Sequence, residues 1–353
     1  HEIFCFSTAR GRIISAGALL TLGSNYDLNI RMNELTQSAD KTVLKVAVLS
    51  GGQSAEAEVS RRSAAEVHNA LAACGHDSRL IELDQNFVTT LLEAPPDVVF
   101  PALHGPPGED GTIQGLLEML DLPYVGSGVR GSALAMDKVV AKSVFRSHNL
   151  PVSAERVVGT GAELKTAVAE IQNTLGSAVA IKPLNAGSAI GVQLLPQGGD
   201  LHAALTKGLQ FGDCLVEPFI AGKELTVGVL HTSTQLQAHP VIEICTATGQ
   251  WYDYENRYTP GQSEHIVPAQ LDSKVTAELQ RIAVTAHAAL GLRDLSRADF
   301  ILDAANNITL LEVNTLPGMT ATSLYPDGAA ALGVGFEELV DLLVRTAFAR
   351  STH

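Results

Sequence analysis

The sequence is poor in basic residues, in cysteine and in long apolar runs. Its 353 residues contain 24 Lys and Arg against 38 Asp and Glu, which gives a formal net charge of -14. Nucleic acids and anionic membrane surfaces bind proteins through an excess of Lys and Arg, so this composition argues against both as partners. The four cysteines form no C-x-x-C pair, which disfavours a disulfide framework or a zinc site and favours a reducing cytoplasm. No run reaches the roughly 20 apolar residues that a membrane-spanning helix needs.

The remaining composition is that of a globular protein. Hydrophobic residues make up 46% of the chain and charged residues 18%, so a large core is available and the signature of disorder is missing. At about 150 residues per domain, the length predicts two or three domains. Residues 1–31 are interpreted as upstream translated sequence or a disordered extension, with a targeting peptide as the weaker alternative. Met32 then opens a run that leads into the first strand.

The pattern along the chain predicts an α/β protein. Strands and helices alternate in the first third, which is typical of an open parallel sheet, and one helix should bury Ala64, Val67, Leu71 and Cys74. Further on, the pattern predicts a helix over 136–148 and a hairpin of two strands around a glycine-rich turn. The predicted segments are an extension (1–42), an N-terminal substrate-binding domain (43–126), a small central domain (127–219) and a C-terminal mixed-sheet domain (220–350).

Two segments near the C-terminus, 296–303 and 308–314, have the spacing of an antiparallel hairpin with one polar face. Residues two apart on a strand share a face, so Arg297 with Asp299, and Glu312 with Asn314, should converge if the strands pair. Their oxygens are the ligands that Mg²⁺ prefers, and an adjacent arginine suits a triphosphate or an oxyanion. The alternative is a solvated face with a cross-strand salt bridge, but the apolar residues between them favour a cleft lining.

Several charged residues elsewhere are candidates for binding nucleotide. Lys182 stands in an otherwise apolar strand, directly before the glycine-rich 185–191 turn, so it must either snorkel or meet an anion such as a phosphate. Lys138 on the preceding helix is a weaker candidate, because a solvated helical lysine is the ordinary case. Glu217 and Glu224 flank a turn, where ribose, a metal or simply solvent could be their partner.

The segment 103–111 and the stretch after the first strand carry two further candidates. His104 follows an apolar strand, at the edge where open α/β sheets bind ligands, although a core histidine is an equally good interpretation. Glu56 should lie in the first turn of a helix with Ser54 as its N-cap, where it could hold an ammonium group. The aromatic and charged stretch 251–261 has no clean period and is typical of a lid loop or of a protein-binding patch.

Seven motifs in order carry a family resemblance. They are GGQSAEAEVS, LHGPPGEDG, AMDK, IKPLNAGSAIGV, YDYENRY, SRADF and LEVNTLPGMTATSL. Together they resemble the bacterial D-alanine–D-alanine ligases of the ATP-grasp superfamily, from about Lys45 to the C-terminal helix. The resemblance implies three α/β domains with ATP held between the central and C-terminal ones.

The resemblance also implies the role of each matching residue. ATP would be held by Lys138, Lys182, Gly187, Ser188, Glu217, Ile220 and Glu224, with the 187–191 loop over its phosphates. Two Mg²⁺ or Mn²⁺ ions would be bound by Asp299, Glu312 and Asn314. Glu56 would bind the first D-alanine, with His104 nearby, and Ser323 would bind the second. Arg297 and the N–H of Gly318 would stabilise the oxyanion. Ser188 and Tyr258 would join Glu56 to close the lid, and Arg257 would contact phosphate or substrate carboxylate.

The implied reaction is the ATP-dependent joining of two D-alanines through an acylphosphate, for peptidoglycan precursor synthesis, by a homodimer. Two departures from the family pattern stand out: Arg257 replaces a lysine, and Ala189 replaces a serine. The alternatives are a different second substrate such as D-serine, a nicotinamide-dependent oxidoreductase, or a non-catalytic nucleotide-binding module. GGQSAE is not G-x-G-x-x-G, and the carboxylates expected to bind metal are present, so neither of the last two is favoured.

Overall fold

The structure is a computed structural model that describes residues 42–54, 56–184, 187, 189–233, 235–246, 263–320 and 323–351. The helices, in chain order, are α1 (Ala57–Ala73), α2 (Phe87–Glu93), α3 (Thr112–Met119), α4 (Val129–Met136), α5 (Lys138–Ser147), α6 (Leu164–Thr174), α7 (Leu201–Gly208), α8 (Ser273–Ala289), α9 (Leu324–Ala331) and α10 (Phe336–Ser351). The strands are β1 (Lys45–Ser50), β2 (Asp77–Glu82), β3 (Val98–Pro101), β4 (Arg156–Val158), β5 (Val179–Pro183), β6 (Gln193–Leu195), β7 (Cys214–Pro218), β8 (Gly222–His231), β9 (Leu236–Ala238), β10 (Ile242–Thr246), β11 (Ser263–Ile266), β12 (Asp294–Asp303) and β13 (Ile308–Asn314). Within the described part of the chain, no helix is both long and apolar enough to cross a bilayer.

The N-terminal sheet is parallel, in the order β2-β1-β3. β1 is buried at every position after its first residue, which is typical of a parallel strand covered on both faces. The predicted buried face of α1 is confirmed for Ala64, Val67 and Leu71. It is wrong for Cys74, which is the C-cap residue and is exposed, because the helix ends before its side chain can turn towards the sheet.

The middle of the chain forms a four-stranded antiparallel sheet in the order β4-β7-β5-β6. Its predicted hairpin is confirmed, since Val179 pairs with Leu195 and Ile181 with Gln193. Helices α6 and α7 pack on this sheet, and Ile171 and Leu205 share its buried core. The strand before the glycine-rich turn is therefore held firmly on both of its edges.

The predicted helix over 136–148 is wrong at its start. The chain forms two helices, α4 and α5, separated by Asp137 in an extended conformation. The Asp137 carboxylate accepts from the backbone N–H groups of Val139 at 2.9 Å and Val140 at 3.0 Å, so it caps α5. This cap fixes where α5 begins, directly at Lys138.

The C-terminal sheet has the order β11-β10-β8-β12-β13. β9 pairs with the C-terminal end of β8, beyond the residues that pair with β10. It was predicted as mixed, but every pairing among its described strands is antiparallel, and β8–β9 and β12–β13 are pairs of consecutive strands joined by short turns. α8 contributes Leu279, Ile282 and Ala283 to a core with Phe300 of β12 and Phe145 of α5. The α/β fold is confirmed, and the limits of the three domains stay a prediction.

Two histidines lie in the core of the C-terminal region. His239 is fully buried, and neither of its ring nitrogens has a hydrogen-bond partner among the described residues. Its ring stacks 4.6 Å from that of Tyr325, and a Cβ on Gly228 would come within 2.3 Å of its Nδ1, so only glycine fits there. Burial lowers the pKa of His239 to about 3. Burial, followed by the nearby His231, lowers the pKa of His287 to about 3.

These histidines predict a loss of stability in acid. Their folded pKa lies below the unfolded value of about 6.5, so the stability they contribute is complete above pH 6.5 and decreases as the pH falls towards 3. We expect each to remove about 2 kcal/mol from the free energy of unfolding between pH 7.5 and pH 5. Urea denaturation of the wild type and His239→Leu at both pH values measures this change.

The exposed His202 on α7 offers a matched control. His202→Leu should retain the full acid sensitivity of the wild type, whereas His239→Leu should show a smaller dependence on pH. An identical dependence in wild type and His239→Leu would contradict the assignment.

Candidate active site

A cavity lies between the loop after β3, the start of α5 and the end of β13. It brings together residues that are distant in sequence: Glu56, His104, Glu109, Ala135, Met136, Lys138, Gly187, Arg297, Glu312, Val313, Asn314, Thr315 and Gly318. A second, wider cavity of about 710 Å³ shares Glu56 and Gly187 with it. The candidates chosen from the N-terminal, central and C-terminal parts of the sequence therefore meet in one place.

The hairpin of β12 and β13 forms one wall of this cavity. Arg297 lies opposite Asn314, and Asp299 lies opposite Glu312, in an antiparallel pair. Directly opposite residues, and residues two apart on one strand, point to the same face of a sheet. The convergence predicted from their spacing is confirmed. A bulge after Asp299 shifts the register of the rest of the hairpin.

Arg297 and Asp299 form a bidentate ion pair. The guanidinium donates from Nε to Oδ1 at 2.9 Å and from Nη2 to Oδ2 at 2.8 Å. The hydroxyl of the fully buried Thr226 on β8 donates to the same Oδ1 at 2.6 Å. Sequence reasoning missed Thr226, and only its position opposite Asp299 in the sheet reveals it. The three contacts hold Arg297 and Asp299 in fixed orientations on the cavity wall.

The donor set of the hairpin fits a hard divalent cation. Asp299 and Glu312 present carboxylates from directly paired positions, and the Oδ1 of Asn314, which has two lone pairs, accepts from the N–H of Leu316 at 2.9 Å. No three His, Cys, Asp or Glu side chains converge on a metal position within the described residues, so the third protein oxygen would come from the Asn314 amide. Lys138 lies 3.8 Å from the Glu312 carboxylate.

The ammonium group of Lys182 pairs with a carboxylate, that of Glu217, rather than snorkelling to solvent. Its Nζ lies 2.6 Å from Oε2 of Glu217, while the other carboxylate oxygen pairs with Lys142 and accepts from Ser153 Oγ at 2.7 Å. Burial alone raises the pKa of Glu217, but Lys182 and Lys142 together hold it at about 2. Burial lowers the pKa of Lys182, but Glu217 outweighs this and raises it.

Lys142 was not predicted from the sequence. It lies four residues after Lys138 and is fully buried, beside Ala141 and Phe145 in the buried face of α5. A lysine within the apolar face of an amphipathic helix was the available signal. Its partners, Ser153 and Glu217, come from other elements, and the sequence has no pattern that connects them.

Glu56 lies at the cavity and is buried, but the predicted cap is wrong. α1 begins at Ala57 with Glu56 as its N-cap residue, so Ser54 lies before the cap. The hydroxyl of Ser54 accepts from the Glu56 N–H at 3.3 Å and donates to the carbonyl of His104 at 2.8 Å. Ser54 thus links Glu56 to His104 across two loops. Burial, followed by Arg297, lowers the pKa of His104 to about 4, so its ring is neutral near pH 7.

Glu109, which lies in the motif LHGPPGEDG, is a site residue that the sequence analysis missed. It lines the cavity, and its Oε2 accepts from the N–H of Gly105 at 2.6 Å. Burial, followed by the neighbouring Glu56, raises the pKa of Glu109 to about 8. This end of the cavity therefore carries two carboxyl groups, of which Glu109 holds its proton near pH 7.

The turn after β13 brings two other predicted residues together. The Ser323 hydroxyl accepts from the N–H of Thr320 at 3.0 Å, and Gly318 lines the cavity. A Cβ on Gly318 would come within 2.8 Å of the Ser323 hydroxyl, so a side chain there would displace it.

The remaining candidates lie elsewhere. Glu224 is on β8 and Ile220 in the connection between β7 and β8, and neither lines this cavity, although the Glu224 carboxylate contributes to the raised pKa of Lys182. Ser188, Arg257 and Tyr258 lie outside the described residues. The functional role of every one of these residues stays a prediction.

Comparison with known proteins agrees with this geometry. The family model described as D-ala D-ala ligase C-terminus matches residues 144–345, and the one described as D-ala D-ala ligase N-terminus matches residues 86–127. The D-alanine–D-alanine ligase of Desulforudis audaxviator is 43% identical over 86% of this chain and 99% of its own length. That of Bordetella petrii is 44% identical over 87% of this chain and 93% of its own length.

Solved structures give the same result. The D-alanine–D-alanine ligase from Coxiella burnetii matches with a TM-score of 0.75 at 27% identity, over 88% of this chain and 95% of that one. The Bacillus anthracis ligase complexed with ATP also has a TM-score of 0.75, at 25% identity, over 88% of this chain and 99% of that one. These neighbours have the predicted ATP-grasp fold, and the chain belongs to the D-alanine–D-alanine ligase family.

Proposed function

We propose that the protein joins two D-alanine molecules into D-alanyl-D-alanine at the expense of ATP, as a step in peptidoglycan precursor synthesis. The observation that carries this proposal is the β12–β13 wall: Arg297, Glu312 and Asn314 line one cavity with Glu56, and Asp299 is paired with both Glu312 and Arg297. A carboxylate is a poor electrophile, so the first D-alanine must be activated. Transfer of the ATP γ-phosphate would make it an acylphosphate, which the second amine attacks while phosphate leaves.

In the first step, the protein has to hold a polyanion beside a carboxylate. Lys138 and Lys182 would pair with the phosphates, and Lys138 and Gly187 line the cavity that both ligands would share. Asp299, Glu312 and Asn314 would hold two Mg²⁺ or Mn²⁺ ions. When bound, these ions neutralise phosphate charge and orient the transferred group.

In the second step, negative charge develops on the oxygen of the tetrahedral intermediate. Arg297, held by Asp299, and the N–H of Gly318 would stabilise this oxyanion from fixed positions. Glu56 would bind the ammonium of the first D-alanine, with His104 beside it, and Ser323 would bind the carboxylate of the second. We propose that Tyr258 and Ser188 close the site, which would exclude water from the acylphosphate.

Two departures from the family pattern bear on the second substrate and on the nucleotide. Arg257 keeps the charge of the family's lysine but not its shape, and Ala189 lacks a hydroxyl near the phosphates. By family resemblance, the lid tyrosine Tyr258 favours an amine over D-lactate, with D-alanine ahead of D-serine. We also propose, from the family alone, that the protein acts as a homodimer in the cytoplasm.

The substrate prediction is tested by phosphate release. We expect Mg-ATP with D-alanine to release phosphate and give D-alanyl-D-alanine, identified by mass spectrometry. L-alanine and D-lactate should stay at background, and D-serine should be slower than D-alanine. Turnover with D-serine but not with D-alanine would keep the reaction type and reject the proposed second substrate.

The oxyanion role predicts a specific loss in Arg297→Ala. Removing one such donor should lower kcat by about 10²–10³-fold, because the charge it stabilises exists only in the transition state. Direct titration should show that Mg-ATP still binds with an affinity close to that of the wild type. The surface variant Arg281→Ala, which breaks an exposed pair with Glu278, should keep full activity. Unchanged turnover in Arg297→Ala would remove the proposed role.

A further inference from the structure

A buried lysine stands behind the proposed nucleotide site. The side chain of Lys142 is 2% exposed, which is rare for lysine and is tolerated only when the charge is paired. Its Nζ forms an ion pair with Glu217 and lies 3.0 Å from both the Glu155 carboxylate and the Ser153 hydroxyl. None of the roles proposed so far uses Lys142.

The two oxygens of the Glu217 carboxylate have different partners. Oε1 is bound by Lys142 and by Ser153, both inside the protein. Oε2 is bound by Lys182 at 2.6 Å, and the side chain of Lys182 is 21% exposed. Lys142 is thus buried, whereas Lys182 is partly exposed and lies one residue from the end of β5.

The position of Lys142 is fixed by its surroundings. Glu155 is also paired with Arg146, which lies on α5 as Lys142 does. The residues next to Lys142 on α5, Ala141 and Phe145, are packed in the core with β8, β12 and α8. The ammonium group cannot move to solvent without breaking these contacts. Lys142 is therefore a permanent partner of Glu217.

This arrangement matters because Lys182 has two competing partners. In the proposed reaction it must pair with nucleotide phosphate, yet here it pairs with Glu217. A buried carboxylate holds its last counter-ion strongly, because leaving that charge unpaired costs several kcal/mol. With Lys142 in place, Glu217 keeps a cationic partner when Lys182 leaves it.

We propose that Lys142 is a positioning residue that serves as the standing counter-ion of Glu217, and so allows Lys182 to turn from Glu217 to the phosphates of the nucleotide. This inference rests on the proposed use of ATP. It assigns the lysine no contact with substrate, since its action passes through Glu217 to Lys182. Removing the charge of Lys142 should therefore weaken the binding of phosphate groups and spare the binding of the nucleoside.

Calorimetric titration with Mg-ATP and with adenosine distinguishes this role from a merely structural one. In Lys142→Met we expect the affinity for Mg-ATP to fall by about tenfold or more, with adenosine binding unchanged within about twofold. Because Glu217 is itself proposed to hold ATP, E217Q is the reference for the double variant: with the carboxylate charge that retains Lys182 gone, adding K142M to E217Q should lower the affinity for Mg-ATP by no more than about twofold. Lys142→Arg keeps the charge and should stay close to the wild type.

The exposed Lys165 on α6 provides the matched control, because Lys165→Met removes a surface lysine on a different helix from Lys142. It should bind both ligands as the wild type does. If Lys142→Met fails to fold, K142M/E155Q removes one buried charge of each sign and should still lose affinity for Mg-ATP alone. Equal loss of Mg-ATP and adenosine affinity, or a loss from adding K142M to E217Q as large as that from Lys142→Met in the wild type, would overturn the proposal.

The titrations contain no D-alanine, so they are independent of whether the protein ligates it. Phosphate release by the wild type decides the proposed function, whereas the variants decide the role of Lys142. A wild type that binds Mg-ATP but does not turn over D-alanine would contradict the proposed function and would not contradict this inference. A wild type that binds adenosine and Mg-ATP with equal affinity would overturn the inference, because no phosphate-specific contact would then exist.

Discussion

The candidate site depends on the antiparallel register of β12 between β8 and β13. That register sets Asp299 opposite Glu312 on one side and opposite Thr226 on the other. A slip of one residue would turn the charged side chains into the core and the apolar ones into the cavity, since alternate residues of a strand face opposite sides. Burial of Ala298 and Phe300 between the charged positions makes this slip costly. The hydrophobic core thereby fixes the positions of the polar groups.

The second determinant of the site is the balance of buried charge. A protein with a net charge of -14 gathers several of its lysines and arginines around a few carboxylates. Arg297 is paired with Asp299, and Lys142 and Lys182 share Glu217. Each ion pair neutralises a charge that would be costly to bury alone. A bound ligand would have to displace or contact the paired groups that lie next to the cavity. The site is thus preorganised by ion pairs within the protein itself.

Sequence patterns predicted what is local or periodic. The strands β1, β5, β12 and β13 and the convergence of their polar residues followed from apolar runs and a period of two. The cap at Asp137 was missed because the helical period continues across it, and Ser54 was misassigned because its hydroxyl bonds to a distant carbonyl as well as to the nearby N–H. Lys142 and Thr226 could not be predicted, because their importance comes from partners on other strands and helices, which only the tertiary fold brings close.

The Asp137 cap has a consequence for how the two ends of the site are coupled. Because α5 starts at that cap, Lys138 and Lys142 lie one helical turn apart on the same side of a short, rigid helix. The first reaches towards Glu312 at the hairpin, and the second reaches Glu217 in the central sheet. A rotation or shift of α5 would move both ammonium groups together. The contacts of Glu312 and of Glu217 with these lysines therefore depend on the position of the same helix. A family member that changed the length of the α4–α5 junction would shift both ammonium groups relative to these two carboxylates at once.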